Sequence, residues 1–445
     1  MKKDKSLLKR LTEYKSTMTP FHMPGHKRVF NKNSLIPYEI DITEVDGFDN
    51  LHNMEGVLKE TAMLASELFG SIFSFPLVNG STCGILAGIY SLSRENKNIL
   101  IARNCHKSVY NAAEILNLNT HYIMPDIDEY GVFVQMSPDD IEESIIENDI
   151  GLVVVTSPSY EGVISDISAI YEVCKKHNAY LLLDCAHGAH LSFYDEKNNP
   201  LPYCDICVMS LHKTLPALTQ TAVLNVCSRR VDENLVNHAL SVFETSSPSY
   251  ILLASIDECL RYIKYNRSDF EKSKLLLKQF YKDTKALQNL KVFHYDDLCK
   301  IIIASNDGSH LAKMLRKEKI EIEMASSDYV VLIATVSDTK KSLNILKKAL
   351  FKIDKNFPPF KKGCLSYPKI CDKVLSATDA QKEKGEFLDF TECENRISLE
   401  YIWAYPPGIP VVVPGEKISR DLINYLSTRK DFISTKGSFP KIYVK

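Results

Sequence analysis

A chain of 445 residues is longer than one ordinary hydrophobic core supports, so two or three domains are expected. Apolar residues make up 45% of it and charged residues 25%, the balance of a soluble globular protein. The net charge of −2 argues against a nucleic-acid or membrane surface as partner, and no run reaches the ~18 apolar residues of a membrane span.

The opening "MKKDKSLLKRLTEYKS" is basic but lacks the apolar centre of a signal peptide, so a short amphipathic helix is expected there. Residues 1–55 read as that helix plus a loop-rich arm containing "HMPGHK", where Gly25 beside Pro24 marks a tight turn. Residues 56–260 alternate apolar strands with helical patterns, with strands near 74–78, 98–102, 120–124, 151–156, 179–184, 204–209 and 221–227. That alternation predicts an α/β fold: a mainly parallel sheet with helices on both faces. Residues 261–360 begin with a long charged helix and continue with "KVFHY", "KIIIAS" and "DYVVLIAT", the strands of a smaller α+β domain. Residues 361–445 form a carboxyl-terminal domain in which clustered prolines interrupt regular structure and Gly408 and Gly415 permit sharp turns. Twelve cysteines are scattered without a disulfide framework, which suits a reducing cytoplasmic compartment. Cys204 and Cys207 form a lone C-x-x-C, read as structural, so no metal site is expected.

Four features carry chemistry, each at a strand end. In "CDICVMSLHKTLPALTQ" an apolar strand runs straight into Ser210, His212 and Lys213. A lysine there suits a Schiff base with an aldehyde cofactor; the alternative is a surface lysine in a loop. Asp184 ends the strand of "AYLLLDCAHGAH", where open α/β sheets place their ligands. A pyridoxal ring needs such a carboxylate to keep its nitrogen protonated; the alternative is a capping or turn aspartate. Gly80, Ser81 and Thr82 lie between a strand and a helix, where backbone N–H groups and hydroxyls cradle a phosphate, although many helices begin this way. His106 follows another strand and suits stacking on a flat ring, or a structural role.

With these residues in order, the chain resembles the Orn/Lys/Arg decarboxylase family, in its short form without a wing domain, within the aspartate-aminotransferase-like group of enzymes that use pyridoxal 5'-phosphate (PLP). The resemblance rests on "TPFHMPGHKR" (19–28), "DITEVDGFDNLH" (41–52), "NGSTCG" (79–84), "ARNCHKS" (102–108) and "TSPSYEGVISDI" (156–167). It continues through "DCAHGAH" (184–190), "SLHKTLPALTQ" (210–220), "TSSPSYILLASID" (245–257) and "YPPGIPVVVPGE" (405–416). Family members often carry an acidic residue after the motif aspartate; here it is Cys185.

The resemblance implies PLP as cofactor, decarboxylation of arginine, lysine or ornithine, and a cytoplasmic place in polyamine biosynthesis. It implies Lys213 as the Schiff-base lysine, Asp184 as the ring-nitrogen partner and His106 as the stacking residue. Lys213 or His212 would return a proton to Cα. His187 would face the ring's phenolic oxygen or the substrate carboxylate, or be satisfied by turn backbone. Ser210 and His212 would approach the phosphate. Thr245, Ser246 and Ser247 would approach the phosphate of a neighbouring subunit, making the protein a homodimer or higher homo-oligomer with shared sites. His22, His26 and Lys27 are candidate interface ligands. A cationic substrate side chain needs an acidic group, with Glu416, Asp46 and Asp49 as candidates. Two alternatives remain open: another PLP reaction such as aminotransfer or elimination, and a catalytically silent protein of the same fold. Aminotransferases grip the α-carboxylate with an arginine near the carboxyl end, and Arg396 is a poor candidate for that.

Overall fold

A computed structural model describes residues 6–28, 34–360, 367–404, 408–428 and 432–445. Helices α1 (Leu7–Thr17) and α2 (Val57–Phe69) come first. Then follow β1 (Phe73–Leu77), α3 (Gly80–Leu92), β2 (Asn98–Ala102), α4 (Lys107–Ile115), β3 (Asn119–Ile123), α5 (Pro138–Asn148), β4 (Leu152–Thr156) and α6 (Ile167–Lys176). β5 (Tyr180–Asp184), the single turn α7 (Leu191–Tyr194), β6 (Ile206–Ser210), the single turn α8 (Leu211–Thr214) and β7 (Ala222–Val226) complete the series. Helices α9 (Glu233–Phe243), α10 (Tyr250–Tyr265) and α11 (Arg267–Thr284) come next. The remaining strands are β8 (Lys291–Phe293), β9 (Lys300–Ala304), β10 (Met324–Ala325), β11 (Tyr329–Ile333), β12 (Glu386–Asp389), β13 (Ile402–Ala404), β14 (Ile409–Val412), β15 (Phe432–Ser434) and β16 (Lys441–Val444). Helices α12 (Gly308–Lys317), α13 (Lys340–Asp354), α14 (Ala377–Lys382) and α15 (Arg420–Ser427) lie among them.

The first seven strands form one sheet in the order β1-β7-β6-β5-β4-β2-β3. β7 pairs antiparallel with β1 and β6, whereas β5–β6, β2–β3 and β2–β4 pair in parallel. The fold is α/β with a mainly parallel sheet, as the alternation of apolar strands and helices implies. The chain divides into two compact units, Met1–Leu92 with Leu182–Lys272, and Ser93–Leu181 with Ser273–Lys445.

In the first unit, register and packing bring several strand ends level. Leu77 and Ser210 both pair with Ala222, so β1 and β6 end level on either side of β7, and Asp184 pairs with Val208 two residues earlier. Gly84 and Gly88 lie four residues apart on one face of α3. A Cβ at Gly84 would meet Leu77 Cδ1 at 2.7 Å, and one at Gly88 would meet Leu182 Cδ1 at 2.6 Å. Their bare backbone therefore lets α3 lie close against the strands. Buried Asp257 ties three helices together, accepting from the Leu7 amide at 2.8 Å, the Thr61 hydroxyl at 3.1 Å and Arg261 Nε at 2.9 Å.

In the second unit, Ser137 caps α5 and Pro138 occupies its first turn, the favoured place for a proline without a free N–H. β8–β11 form an antiparallel sheet in the order β10-β11-β9-β8. The carboxyl-terminal stretch, where clustered prolines interrupt regular structure, builds two small antiparallel sheets, β14-β13-β15 and β12-β16, alongside α14 and α15, in keeping with the smaller α+β carboxyl-terminal domains expected. Pro410 fits because β14 is an edge strand, where a missing N–H breaks no ladder. Pro406 and Pro407 lie outside the described residues. No described helix is long and apolar enough to cross a membrane.

Candidate active site

β6 ends at Ser210 and α8 begins at the next residue, so Lys213 sits one turn beyond a fully buried strand. Its Nζ lies 3.0 Å from His187 Nε2. His187 is held by the tight turn after β5, closed by the Gly188 amide on the Cys185 carbonyl at 2.9 Å. Asp184 stands at the head of that turn, buried, with Oδ1 accepting from the Ala186 amide at 3.1 Å. Burial pushes its carboxyl above the usual range, while the Lys213 ammonium and the Ala186 amide pull it back. Asp184 is thus both a turn aspartate and a buried carboxylate beside the lysine, so its two sequence readings coexist.

His212 is half-buried with Nδ1 2.8 Å from the Thr221 carbonyl, a bond that fixes the proton on Nδ1. Burial lowers its pKa; the carbonyl raises it and Lys213 lowers it further. The Ser210 and Thr214 hydroxyls are buried and have no hydrogen-bond partner among the described residues. Such orphans are uncommon in a finished interior, and a ligand at the strand ends is one arrangement that would complete their bonding. Across the strand ends, Gly80 adopts φ +74° and donates its N–H to the Gln220 carbonyl at 2.8 Å. Only glycine takes that conformation cheaply. Ser81 and Thr82 follow in the first turn of α3, where amides have no intrahelical acceptor. A phosphorylated aldehyde fits this set. The free hydroxyls and first-turn amides suit the phosphate, Lys213 suits the aldehyde, and a protonated ring nitrogen would give Asp184 a counter-charge.

Other expected residues lie elsewhere. His106 belongs to the second unit, where it caps α4: its Nδ1 accepts from the Ser108 amide at 3.3 Å. Ser246 and Ser247 are exposed in the first unit, and the Ser247 amide donates to Thr245 Oγ1 at 3.2 Å. The Thr245 carbonyl accepts from His52 at 3.0 Å. In the arm, His26 pairs with Asp41 at 3.0 Å and Lys27 Nζ donates to the His22 carbonyl at 2.6 Å. Asp46 is exposed, while Asp49 accepts from the Gly56 and Leu58 amides and so holds the start of α2. Glu416 is not available to a substrate cation. Arg103 grips both its oxygens at 2.8 Å, and the Val413 amide adds a third bond. Arg396 is spent on an exposed pair with Glu386. Cys204 and Cys207 are buried free thiols that hydrogen-bond to each other, and Cys204 also to Cys227.

Asp257, Arg103 and Glu244 are among the buried charged residues that the sequence reading did not single out. Glu244 Oε1 accepts from the Val78 amide at 2.7 Å, directly before the Gly80 turn. The available signal was a glutamate preceding "TSSPSY", where the stretch is otherwise uncharged.

Comparisons with known proteins show the family. Residues 5–313 match the Orn/Lys/Arg decarboxylase major domain and residues 367–441 its C-terminal domain. The chain is 32% identical to the uncharacterized protein YaaO of Bacillus subtilis, covering 92% of this chain and 90% of that one. It is 30% identical to an arginine decarboxylase of Bacillus anthracis, covering 91% and 89%. The lysine decarboxylase LdcF of Francisella novicida shares the fold at a TM-score of 0.83 and 19% identity, over 99% of this chain and 80% of that one. The chain belongs to the Orn/Lys/Arg decarboxylase family and is an amino-acid decarboxylase.

Proposed function

We propose that this enzyme uses PLP to decarboxylate arginine, lysine or ornithine, releasing CO2 and the corresponding amine. The observation that carries the reading is Lys213 Nζ, 3.0 Å from His187 and beside buried Asp184, at a strand end with an unpartnered Ser210 hydroxyl. Relatives named arginine decarboxylase, 28–30% identical over about nine-tenths of the chain, support the choice of a basic substrate.

When bound, the cofactor supplies an aldehyde for imine formation and a sink for the electrons left by departing CO2. The protein does the rest. Gly80, Ser81, Thr82 and Ser210 bind the phosphate. Asp184 keeps a proton on the ring nitrogen. His187 accepts from Lys213 Nζ and aims the amine. His212, neutral with Nδ1 committed to Thr221, leaves Nε2 to accept or return a proton. Lys213 Nζ or His212 delivers the proton to Cα that completes the amine.

The test is product analysis on pure enzyme with PLP and a panel of arginine, lysine, ornithine and neutral amino acids. Agmatine or a diamine is expected, and turnover confined to neutral or aromatic substrates would overturn the reading. Such a product belongs to polyamine biosynthesis, and the reduced, mostly buried cysteines suit the cytoplasm. Loss of that amine from the cytosolic fraction of cells lacking the enzyme is the expected result; an unchanged amine pool argues against this setting.

The enzyme works as a homodimer in which the exposed Ser246–Ser247 segment completes the neighbouring phosphate site. Mixing inactive Lys213→Ala with inactive Ser247→Glu should then restore up to about a quarter of parental activity, by random subunit exchange across a two-fold interface. No recovery despite demonstrated exchange would mean that each subunit builds its own site.

A further inference from the structure

Glu244 caps the carboxyl end of α9 and turns its side chain inward, where it is 7% exposed. Its Oε1 accepts from the Val78 amide at 2.7 Å, and the Asn79 amide also hydrogen-bonds to the carboxylate. Val78 and Asn79 are the two residues that lead from β1 into Gly80, Ser81 and Thr82. In the other chain direction, Glu244 immediately precedes Thr245, Ser246 and Ser247. One carboxylate therefore joins the two segments assigned to phosphate, and it does so by holding amides of the turn itself.

The placement is electrostatically costly. Burial pushes the Glu244 carboxyl up to about 7; the two amides pull it back, and no charged side chain contributes. Among the described residues, the titratable groups on the elements packed around it are a thiol, two imidazoles and two phenols. Cys83 on α3 reaches the Gly80 carbonyl at 3.1 Å, and its thiol is pushed up by burial and then by Glu244. His52 is bound to the Thr245 carbonyl, Tyr90 packs against His238 and Phe243, and Tyr250 donates to the Asp49 carbonyl. A phosphate monoester is dianionic above its second pKa of about 6. A dianion on this turn and an ionised carboxylate on the same turn's leading amides repel strongly in a buried setting. Protonated Glu244 still accepts from Val78 and carries no charge.

We infer that Glu244 is a positioning residue for the phosphate turn and couples cofactor binding to a proton, so that the phosphate is held tightly only when Glu244 is neutral. This rests on the PLP reading above. A carboxyl titrating near 7 is about nine-tenths ionised at pH 8, so phosphate affinity should fall about eightfold between pH 6.5 and 8 from this group alone.

The experiment titrates apoprotein with PLP across that range, followed by protein fluorescence, for the parent and Glu244→Gln. Glutamine keeps an acceptor for the Val78 amide and cannot ionise. The parent should lose about eightfold more affinity than the variant. With pyridoxal, which lacks the phosphate, the two proteins should follow one profile. Calorimetry in buffers of different ionisation enthalpy gives a second readout on the parent alone. At pH 7, PLP should take up about half a proton more than pyridoxal does. That measurement decides the matter even if Glu244→Gln fails to fold. Superimposable PLP profiles, or equal proton uptake for PLP and pyridoxal, overturn the inference while leaving the cofactor reading intact. Failure of the parent to bind PLP at any pH overturns both.

Discussion

Two buried charge clusters in this molecule are built to opposite ends. In the second unit, Arg103 and Glu416 form a closed fork: two bonds of 2.8 Å, a third from the Val413 amide, and the guanidinium 5.1 Å from the Tyr122 ring centroid. Burial alone would depress the Arg103 pKa, but Glu416 and Tyr110 more than offset it. In the first unit, Asp184 and Glu244 are held above the usual carboxylate range by burial, and the Ser210 and Thr214 hydroxyls have no partner among the described residues. The first cluster finds every counter-group within the chain and therefore serves the fold. The second is left incomplete, which costs stability and is retained where a ligand completes it. A buried acid is thus not a site in itself. Glu416 looked like a substrate carboxylate by sequence and is a strut by geometry.

The largest test of this contrast is Lys213→Ala. Alanine cannot form the imine, so amine production should drop below detection while thermal unfolding stays close to the parent's. Near-full activity would remove Lys213 from the chemistry. Next is Asp184→Asn. An amide does not favour a protonated ring nitrogen, so kcat should fall about 10²–10³-fold, in line with losing one preorganised electrostatic group. Bound PLP, read by its absorbance, should remain. Activity within a few-fold of the parent would show that Asp184 does not serve the ring.

On the other side of the comparison, Glu416→Gln strands the Arg103 charge. It should destabilise the protein by about 3–5 kcal/mol in urea unfolding, with the KM of the folded fraction unchanged. A selective rise in KM for the basic substrate, without lost stability, would return Glu416 to the substrate pocket. The smallest effect is expected at Ser210→Ala. Losing one hydrogen bond to a charged phosphate costs about 1.5–3 kcal/mol, so PLP affinity should weaken by at least about tenfold. The apoprotein should be no less stable, because the hydroxyl it loses is unpartnered. A destabilised apoprotein with normal PLP affinity would make Ser210 a structural residue.

The strands and the Lys213 turn were legible because they are local patterns. Apolar runs bounded by helical periodicity locate β1–β7 to within a residue or two, and Gly80, His106, Asp184 and Lys213 each lie at or soon after the end of such a run. His187 was half legible: its spacing from Asp184 marked a turn, but only the fold shows its Nε2 at Lys213. The α+β character of the carboxyl-terminal region was legible but its individual strands were not, because proline signals a break without revealing whether the strand is at an edge.

What the sequence determined by itself was the α/β alternation, the family, and the four strand-end motifs, since each is written in consecutive residues. The tertiary structure decided which buried charges are paired. Glu416 meets Arg103 across 313 positions, Glu244 meets Val78 across 166, and Asp257 meets Leu7 across 250. Nothing in a local pattern announces such partners. A charge becomes strut or site according to the desolvation and counter-groups that packing brings to it, and both arise only when distant segments close around it.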